Sequence, residues 1–209
     1  PSAAQTDQRL FTIRFIGSLI LTLICGALFY VTPVHISLVL NERGFSDPAM
    51  LGLASAFGSL GVVAGATIFR FQSRRSIGIL LTIALAAQSV GFAIIYTQAS
   101  LAGGIVGMFI NNIGCGISLP LVLAYTMSRL PDGYRGRASG IWTSMFFIGQ
   151  FICPICVAAA SSLTGGMVAA MALFASFTGL VALTILAGFA SGRVLREPAA
   201  TGAIIIAPH

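Results

Sequence analysis

Long apolar stretches, separated by short polar segments, dominate the chain. No Asp, Glu, Lys or Arg occurs between Phe15 and Asn41, or between Ile77 and Ser128. A run of about 20 apolar residues is long enough to cross the hydrocarbon core of a bilayer as an α-helix. The pattern therefore predicts an all-α integral membrane protein with six transmembrane helices, at residues 11–38, 48–69, 76–97, 101–128, 136–161 and 166–192.

The links between these stretches contain residues that typically end helices. NERGFSDP follows the first stretch, RFQSRRS the second and RLPDGYRGR the fourth, whereas TQAS and SSLTGG are short and uncharged. Pro33 lies near the end of the first stretch. Because proline lacks the amide hydrogen, we expect it to kink that helix or to end it.

The composition agrees with a membrane protein, and its charges predict an orientation. Hydrophobic residues make up 57% of the chain and charged residues only 8%, whereas soluble domains carry about 25% charged residues. All eleven basic residues are arginine. Only Arg43 lies on one side of the predicted helices, and the other side holds Arg9, Arg14, Arg70, Arg74, Arg75, Arg129, Arg135, Arg137, Arg193 and Arg196.

The positive-inside rule converts this asymmetry into a topology. It predicts a multi-pass protein of the cell (cytoplasmic or inner) membrane with both termini in the cytoplasm. These arginines are short anchors at helix ends and form no stripe with aromatic stacking platforms. They therefore do not indicate a nucleic-acid partner.

The motif CPIC, Cys153–Cys156, could indicate a redox pair or half of a metal site. It lies inside the fifth predicted helix, where Pro154 is about 25 Å from the start. Neither cysteine has a cation, a helix start or a histidine near it in sequence, as a reactive thiolate or a zinc site would require. We therefore predict that the protein has no metal, needs no cofactor and is not an enzyme.

The segment from Arg135 to Pro154 resembles the major facilitator superfamily of secondary transporters. In that family a cytoplasmic loop ending in Arg-Gly-x-Ala-x-Gly leads into a helix that carries Gly-x-x-x-x-Pro. The corresponding residues here are Arg135, Gly136, Arg137, Ala138, Gly140, Gly149 and Pro154. The resemblance implies that the loop residues belong to a gating motif and that Gly149 and Pro154 permit close packing and a kink.

The loop after the second predicted helix resembles the family motif Gly-x-x-x-Asp-Arg-x-Gly-Arg-Arg. When a shift of one residue is allowed in the alignment, the matching residues are Gly65, Arg70, Arg74 and Arg75. Phe69 occupies the acidic position and Gln72 that of the second glycine. The loss of the aspartate removes the charge latch that the family has at this helix end. Such divergence favours assignment to the C-terminal half of the family fold.

That assignment implies a domain organisation. Residues 1–10 would be the end of a cytoplasmic linker, residues 11–192 a six-helix bundle and residues 193–209 a cytoplasmic tail. The bundle would consist of two inverted three-helix repeats, 11–97 and 101–192. Its partners would be an N-terminal six-helix half, on the same polypeptide or on a second chain, together with membrane lipid and a small-molecule substrate.

Polar side chains inside the predicted helices are the candidates for substrate binding, because such groups are costly in a bilayer unless they face a cavity or a partner helix. The resemblance implies that the first helix of each repeat lines a central cavity. On that basis we predict substrate-binding roles for Tyr30, Asn111, Asn112 and Ser118, together with Gln150 from the fifth predicted helix. Interhelical hydrogen bonding is the alternative for each.

No acidic residue lies inside a predicted helix, which leaves the coupling ion open. All five acids lie in links or termini: Asp7, Glu42, Asp47, Asp132 and Glu197. Proton coupling usually needs an intramembrane acid or histidine. The carrier would then be His35 or a residue of the partner half, or the protein would be a uniporter. At the end of the first predicted helix, His35 is better interpreted as an interfacial residue.

These observations predict a secondary active transporter that moves a small organic solute, either a metabolite or a drug-like molecule, by alternating access. We expect efflux across the inner membrane, although no residue sets direction or coupling ion. A non-transporting receptor or scaffold on the same fold and a self-pairing six-helix half are the alternatives. The GISL segment, Gly116–Leu119, resembles a rhomboid protease motif, but the sixth predicted helix lacks the histidine base that this family uses.

Overall fold

A computed structural model describes residues 3–128, 130 and 135–191, with side chains from residue 15 onward. These residues form six α-helices, each long and apolar enough to cross a membrane, which confirms the six predicted helices and the all-α class. The helices are α1 (Ala3–Glu42), α2 (Pro48–Gln72), α3 (Ile77–Thr97), α4 (Leu101–Met127), α5 (Arg135–Thr164) and α6 (Met167–Ala190).

The first helix is longer than the sequence predicts. It begins at Ala3 and ends at Glu42, and its apolar span covers Phe15–Glu42. Pro33 lies inside α1 and does not end it. The reason is that a transmembrane helix tolerates one missing backbone hydrogen bond when neighbouring helices hold it in place. The predicted tail at 193–209 lies outside the described residues.

Two glycine turns reverse the chain at the end of α1 and of α5. Gly44 has φ +92°, and the amides of Gly44 and Phe45 bond the carbonyls of Asn41 and Leu40 at 2.9 and 3.0 Å. This is the Schellman arrangement, which needs a left-handed residue that glycine adopts without steric cost. Gly165, with φ +86°, occupies the corresponding place after α5.

The helix α4 is the core of the bundle. It packs along α2 and α3 and also contacts α1, while α5 packs on α1 and α6 packs on α3. Within the spans, 61% of α4 is buried, against 22% of α2 and of α6. The links at residues 43–47, 98–100 and 165–166 lie together at one end, which we call the arginine-poor end. The link at 73–76, with residues 128 and 130 after α4, marks the arginine-rich end.

Glycines bring α2 and α4 into backbone contact. A Cβ atom on Gly65 would collide with the Ile113 carbonyl oxygen and lie 2.9 Å from the Gly116 Cα. In return, a Cβ atom on Gly116 would collide with the Val62 carbonyl oxygen and lie 2.9 Å from the Ala66 amide nitrogen. No side chain fits at either position, so both helices need glycine there.

The seam between α1 and α5 has the same arrangement. A Cβ atom on Gly26 would collide with the Phe146 carbonyl oxygen, and one on Gly149 would collide with the Leu23 carbonyl oxygen. In both seams each glycine faces the carbonyl of the residue that stands three positions before the opposite glycine. The pair α1 and α5 thus repeats the local geometry of the pair α4 and α2.

The glycine seam makes a stability prediction. We expect Gly65→Ala to lower the free energy of unfolding by about 1–3 kcal/mol, as overpacking a core does, because the Ile113 carbonyl belongs to a helix backbone and cannot move aside. The matched control is Gly17→Ala, since nothing lies within 4 Å of its Cβ position. That change should be neutral or raise stability by up to about 1 kcal/mol, since alanine is the better helix former.

The two variants can be compared by titrating SDS into the detergent-solubilised protein and following helicity by circular dichroism. Equal effects at the two positions would contradict the proposed role of the seam.

Candidate functional site

Four helices meet at a buried polar cluster. Thr32 of α1 and Asn111 and Asn112 of α4 are at most 1% exposed. The Thr32 hydroxyl lies 3.1 Å from Asn111 Oδ1 and 3.3 Å from Asn112 Oδ1. Asn111 Nδ2 donates to the Gln88 carbonyl of α3 at 3.1 Å, and Asn112 Nδ2 donates to the Gly58 carbonyl of α2 at 3.0 Å. The cluster therefore ties α1, α2 and α3 to α4.

The orientation of both amides follows from these bonds. Each nitrogen donates to a backbone carbonyl of another helix, so each oxygen faces the Thr32 hydroxyl, which has one proton to share between them. Asn111 and Asn112 thus make the interhelical hydrogen bonds that the sequence left as their alternative role. Ser118 is also enclosed, and its hydroxyl donates to the Cys115 carbonyl of its own helix at 3.0 Å. Substrate contact by these three residues stays a prediction.

The sequence analysis interpreted His35 as a residue at the membrane interface, whereas the structure encloses its side chain within the bundle. It is 5% exposed, and its Nδ1 lies 3.0 Å from the Val31 carbonyl oxygen, one helical turn earlier. The reason is that α1 continues beyond His35 to Glu42, so the imidazole turns into the bundle.

Tyr30 and Gln150 are the predicted site residues that the bundle leaves accessible. Tyr30 on α1 is 37% exposed, and Gln150 on α5 is partly exposed. Gln150 directly follows Gly149, in the seam where α5 packs on α1. Among the described residues, no side-chain hydrogen bond uses either group. The structure therefore divides the five candidates into three enclosed on α4 and two accessible on α1 and α5.

The predicted loop-motif residues lie in two environments. Gly65 belongs to the α2–α4 seam, whereas the others are exposed at the arginine-rich end: Arg70, Arg74, Arg75, Arg135, Gly136 and Arg137. Phe69, at the acidic position of the family motif, packs on a buried cluster that includes Leu28 and Leu80. An apolar contact therefore occupies the place of the charge latch.

An apolar groove of about 550 Å³ lies between α1, α5 and α6. Its lining includes Leu28, Val31, Cys153, Ala160, Leu173 and Phe177. Cys156 also lines it and is exposed, and Pro154 beside the two cysteines is exposed as well. Within the described residues, no three histidine, cysteine or acidic side chains come close enough to hold a metal ion.

Two charged residues to which the sequence analysis gave no site role join helix ends at the arginine-poor end. Glu42 bonds the start of α6, and Arg43 bonds the end of α3. Partial burial lowers the pKa of the Arg43 guanidinium from its ordinary value, and the neighbouring Glu42 carboxylate opposes that shift. The adjacent opposite charges before Gly44 were visible in the sequence, but their partners are distant along the chain.

A model of the Major Facilitator Superfamily matches residues 2–154. The chain belongs to the major facilitator superfamily. The match includes both loop motifs and the Gly149–Pro154 segment, and so confirms the resemblance. An uncharacterized MFS-type transporter of Salmonella typhimurium is 23% identical over 119 residues, which are 57% of this chain and 30% of the relative. The chain thus spans less than a third of that relative's length.

Family membership and the six apolar helices identify an integral, multi-pass membrane protein of a transporter family. The bundle is joined by close backbone contact between helices and by the interhelical hydrogen bonds of the polar cluster, the two interactions that hold helices together within lipid.

The polar cluster makes a second prediction. Thr32→Val removes the one hydroxyl that both amide oxygens face. The Asn111 oxygen keeps the Cys115 thiol as a donor at 3.7 Å, whereas the Asn112 oxygen loses its donor. We therefore expect a loss of about 1–2 kcal/mol in unfolding free energy, the cost of one buried acceptor without a donor. The matched control is Thr67→Val, because Thr67 is exposed and its hydroxyl donates to the Val63 carbonyl of its own helix at 2.8 Å.

The control should change stability by less than about 0.5 kcal/mol, as surface substitutions do. Both free energies can be measured by the same SDS titration. If Thr32→Val were as mild as Thr67→Val, the cluster would not be what holds the four helices together.

Proposed function

We propose that this chain is one six-helix half of a secondary active transporter that moves a small organic solute across the cytoplasmic membrane by alternating access. The observation that carries the proposal is the family match over residues 2–154, combined with six helices long enough to span a bilayer. We infer efflux as the direction and the inner membrane as the location.

The second half of the transporter would be an N-terminal six-helix bundle, on the same polypeptide or on another chain. Membrane lipid would cover the remaining surface. The matching glycine seams support a bundle built from two inverted three-helix repeats, 11–97 and 101–192. Exchanging the two repeats places α1 on α4 and α5 on α2. The α1–α5 seam then falls on the α4–α2 seam. Residues 1–10 would join the halves, and residues 193–209 would form a cytoplasmic tail.

The proposed substrate contacts are Tyr30 and Gln150, supported by the accessible side chains described above. A partner half packed against α1 and α5 would enclose both groups between the halves. A phenol and an amide donate and accept hydrogen bonds without a formal charge, which suits a neutral or weakly charged organic solute. Asn111 and Asn112 would support this site indirectly, by the hydrogen bonds that fix α4 to its neighbours, and Ser118 would support it from within α4.

The proposed orientation places the arginine-rich end in the cytoplasm. It can be tested with a cysteine-free protein that carries one new cysteine, either Ser46→Cys in the α1–α2 link or Ser73→Cys in the α2–α3 link. We expect a membrane-impermeant maleimide to label the Ser46 variant in intact cells and the Ser73 variant only after lysis. The reverse pattern would invert the topology and place both termini outside.

Transport itself can be tested in energised inside-out vesicles containing the full-length product, with ethidium and uncharged organic dyes as probes. We expect accumulation above vesicles from cells with an empty vector. Gln150→Ala and Tyr30→Phe should each lower kcat/KM about 5- to 10-fold, the equivalent of one lost hydrogen bond of about 1–1.4 kcal/mol.

Ser144→Ala is the matched control, because Ser144 is exposed on the same helix and its hydroxyl bonds the Gly140 carbonyl at 3.0 Å. It should transport like the unaltered protein. Unchanged transport in the Gln150 and Tyr30 variants would remove both residues from the site. Absence of transport for every dye, by a folded protein, would instead favour the receptor or scaffold role.

A further inference from the structure

The Glu42 side chain joins the end of α1 to the beginning of α6. Its Oε2 accepts hydrogen bonds from the amides of Met167 and Val168 at 2.7 and 3.2 Å. These are two of the unpaired amides at the first turn of a helix, where the helix dipole favours a negative charge. The carboxylate lies directly against Gly166, where a Cβ atom would force it to shift.

The next residue makes the opposite contact. The Arg43 guanidinium donates to the Tyr96 carbonyl at 2.8 Å and also to the Gln98 carbonyl. These carbonyls lie at the end of α3, where the helix dipole favours a positive charge. The left-handed turn at Gly44 ends α1 directly after the pair. One dipeptide therefore binds a helix beginning and a helix end with complementary charges.

The Glu42 hydrogen bonds lie where the end of α1 meets the start of α6, and apolar packing accompanies them. Leu40 of α1 and Met171 of α6 are buried in the same apolar cluster, on which Met167 and Val168 also pack. Further along, the apolar groove lies between the two helices, and its walls include Val31 on α1 and Leu173 on α6. Among the described residues, Glu42 makes the side-chain hydrogen bonds that join α1 to α6, whereas α6 packs closely on α3.

We propose that Glu42 and Arg43 form a clasp, in which Arg43 fixes the end of α3 and Glu42 fixes the beginning of α6 to α1. Release of this clasp opens the groove between α1 and α6. Pro33 gives α1 a place to bend one to two turns before the clasp, because it removes the hydrogen bond to the Phe29 carbonyl. The proposal does not depend on the solute or on the direction of transport, so its failure would leave the proposed function standing.

The clasp can be tested by pulsed electron paramagnetic resonance on the full-length product in lipid nanodiscs, after every native cysteine has been replaced. Spin labels at Leu38→Cys on α1 and Ser176→Cys on α6 report the width of the groove, since both positions are exposed. With Glu42 present we expect one narrow distance distribution. Glu42→Ala should broaden it and shift its mean to longer distance.

Glu42→Gln should give a smaller shift, because its amide oxygen still accepts a hydrogen bond but carries no charge. If the Glu42→Ala variant does not fold, the Glu42→Gln variant provides the comparison with the unaltered protein. Asp47→Asn is the matched control: Asp47 is a carboxylate at the same end that caps only its own helix, by accepting from the Ala49 amide at 3.1 Å. Unchanged distances in both Glu42 variants, or an equal shift in Asp47→Asn, would overturn the proposal.

Discussion

Direct contact between helix backbones is the constraint on which the rest of this structure depends. Lipid tails are as apolar as the side chains, so helices in a bilayer associate through close packing and interhelical hydrogen bonds, and not through hydrophobic burial. Gly65 and Gly116 permit such contact between α2 and α4. The approach also decides the polar interior, because Asn112 reaches the Gly58 carbonyl only when α2 lies against α4.

The polar cluster then fixes α1 and α3 to α4 without using a charge. An ion pair in this interior would carry a large desolvation cost, whereas the amides of Asn111 and Asn112 each donate to a backbone carbonyl of another helix, and their oxygens share the Thr32 hydroxyl of α1. The four helices α1 to α4 are therefore joined through uncharged groups. Charges are instead placed at the helix ends, where Glu42 and Arg43 meet the backbone groups that the helices leave unpaired.

The sequence predicted the helices well and the roles of their polar residues less well, for a physical reason. A span is a local property, since about 20 consecutive apolar residues suffice to identify it. Whether Asn111 faces a cavity or the Gln88 carbonyl depends on how α3 and α4 pack, which no local pattern contains. Likewise the sequence showed Gly149 as a packing residue, but its opposite glycine, Gly26, lies in another helix. Glu42 appeared as a link residue because its partners begin at Met167.

The two seams also align α1 with α4, and one aligned position differs beside the groove. When Gly26 of α1 is aligned with Gly116 of α4, Ile24 takes the place of Gly114. Gly114, together with Gly91 and Gly107, brings α4 and α3 into backbone contact, and a Cβ atom on Gly114 would collide with the Ala84 carbonyl oxygen. Ile24 instead carries a branched side chain that lines the groove between α1, α5 and α6. A side chain of this volume is incompatible with the backbone contact that Gly114 permits at the matching position.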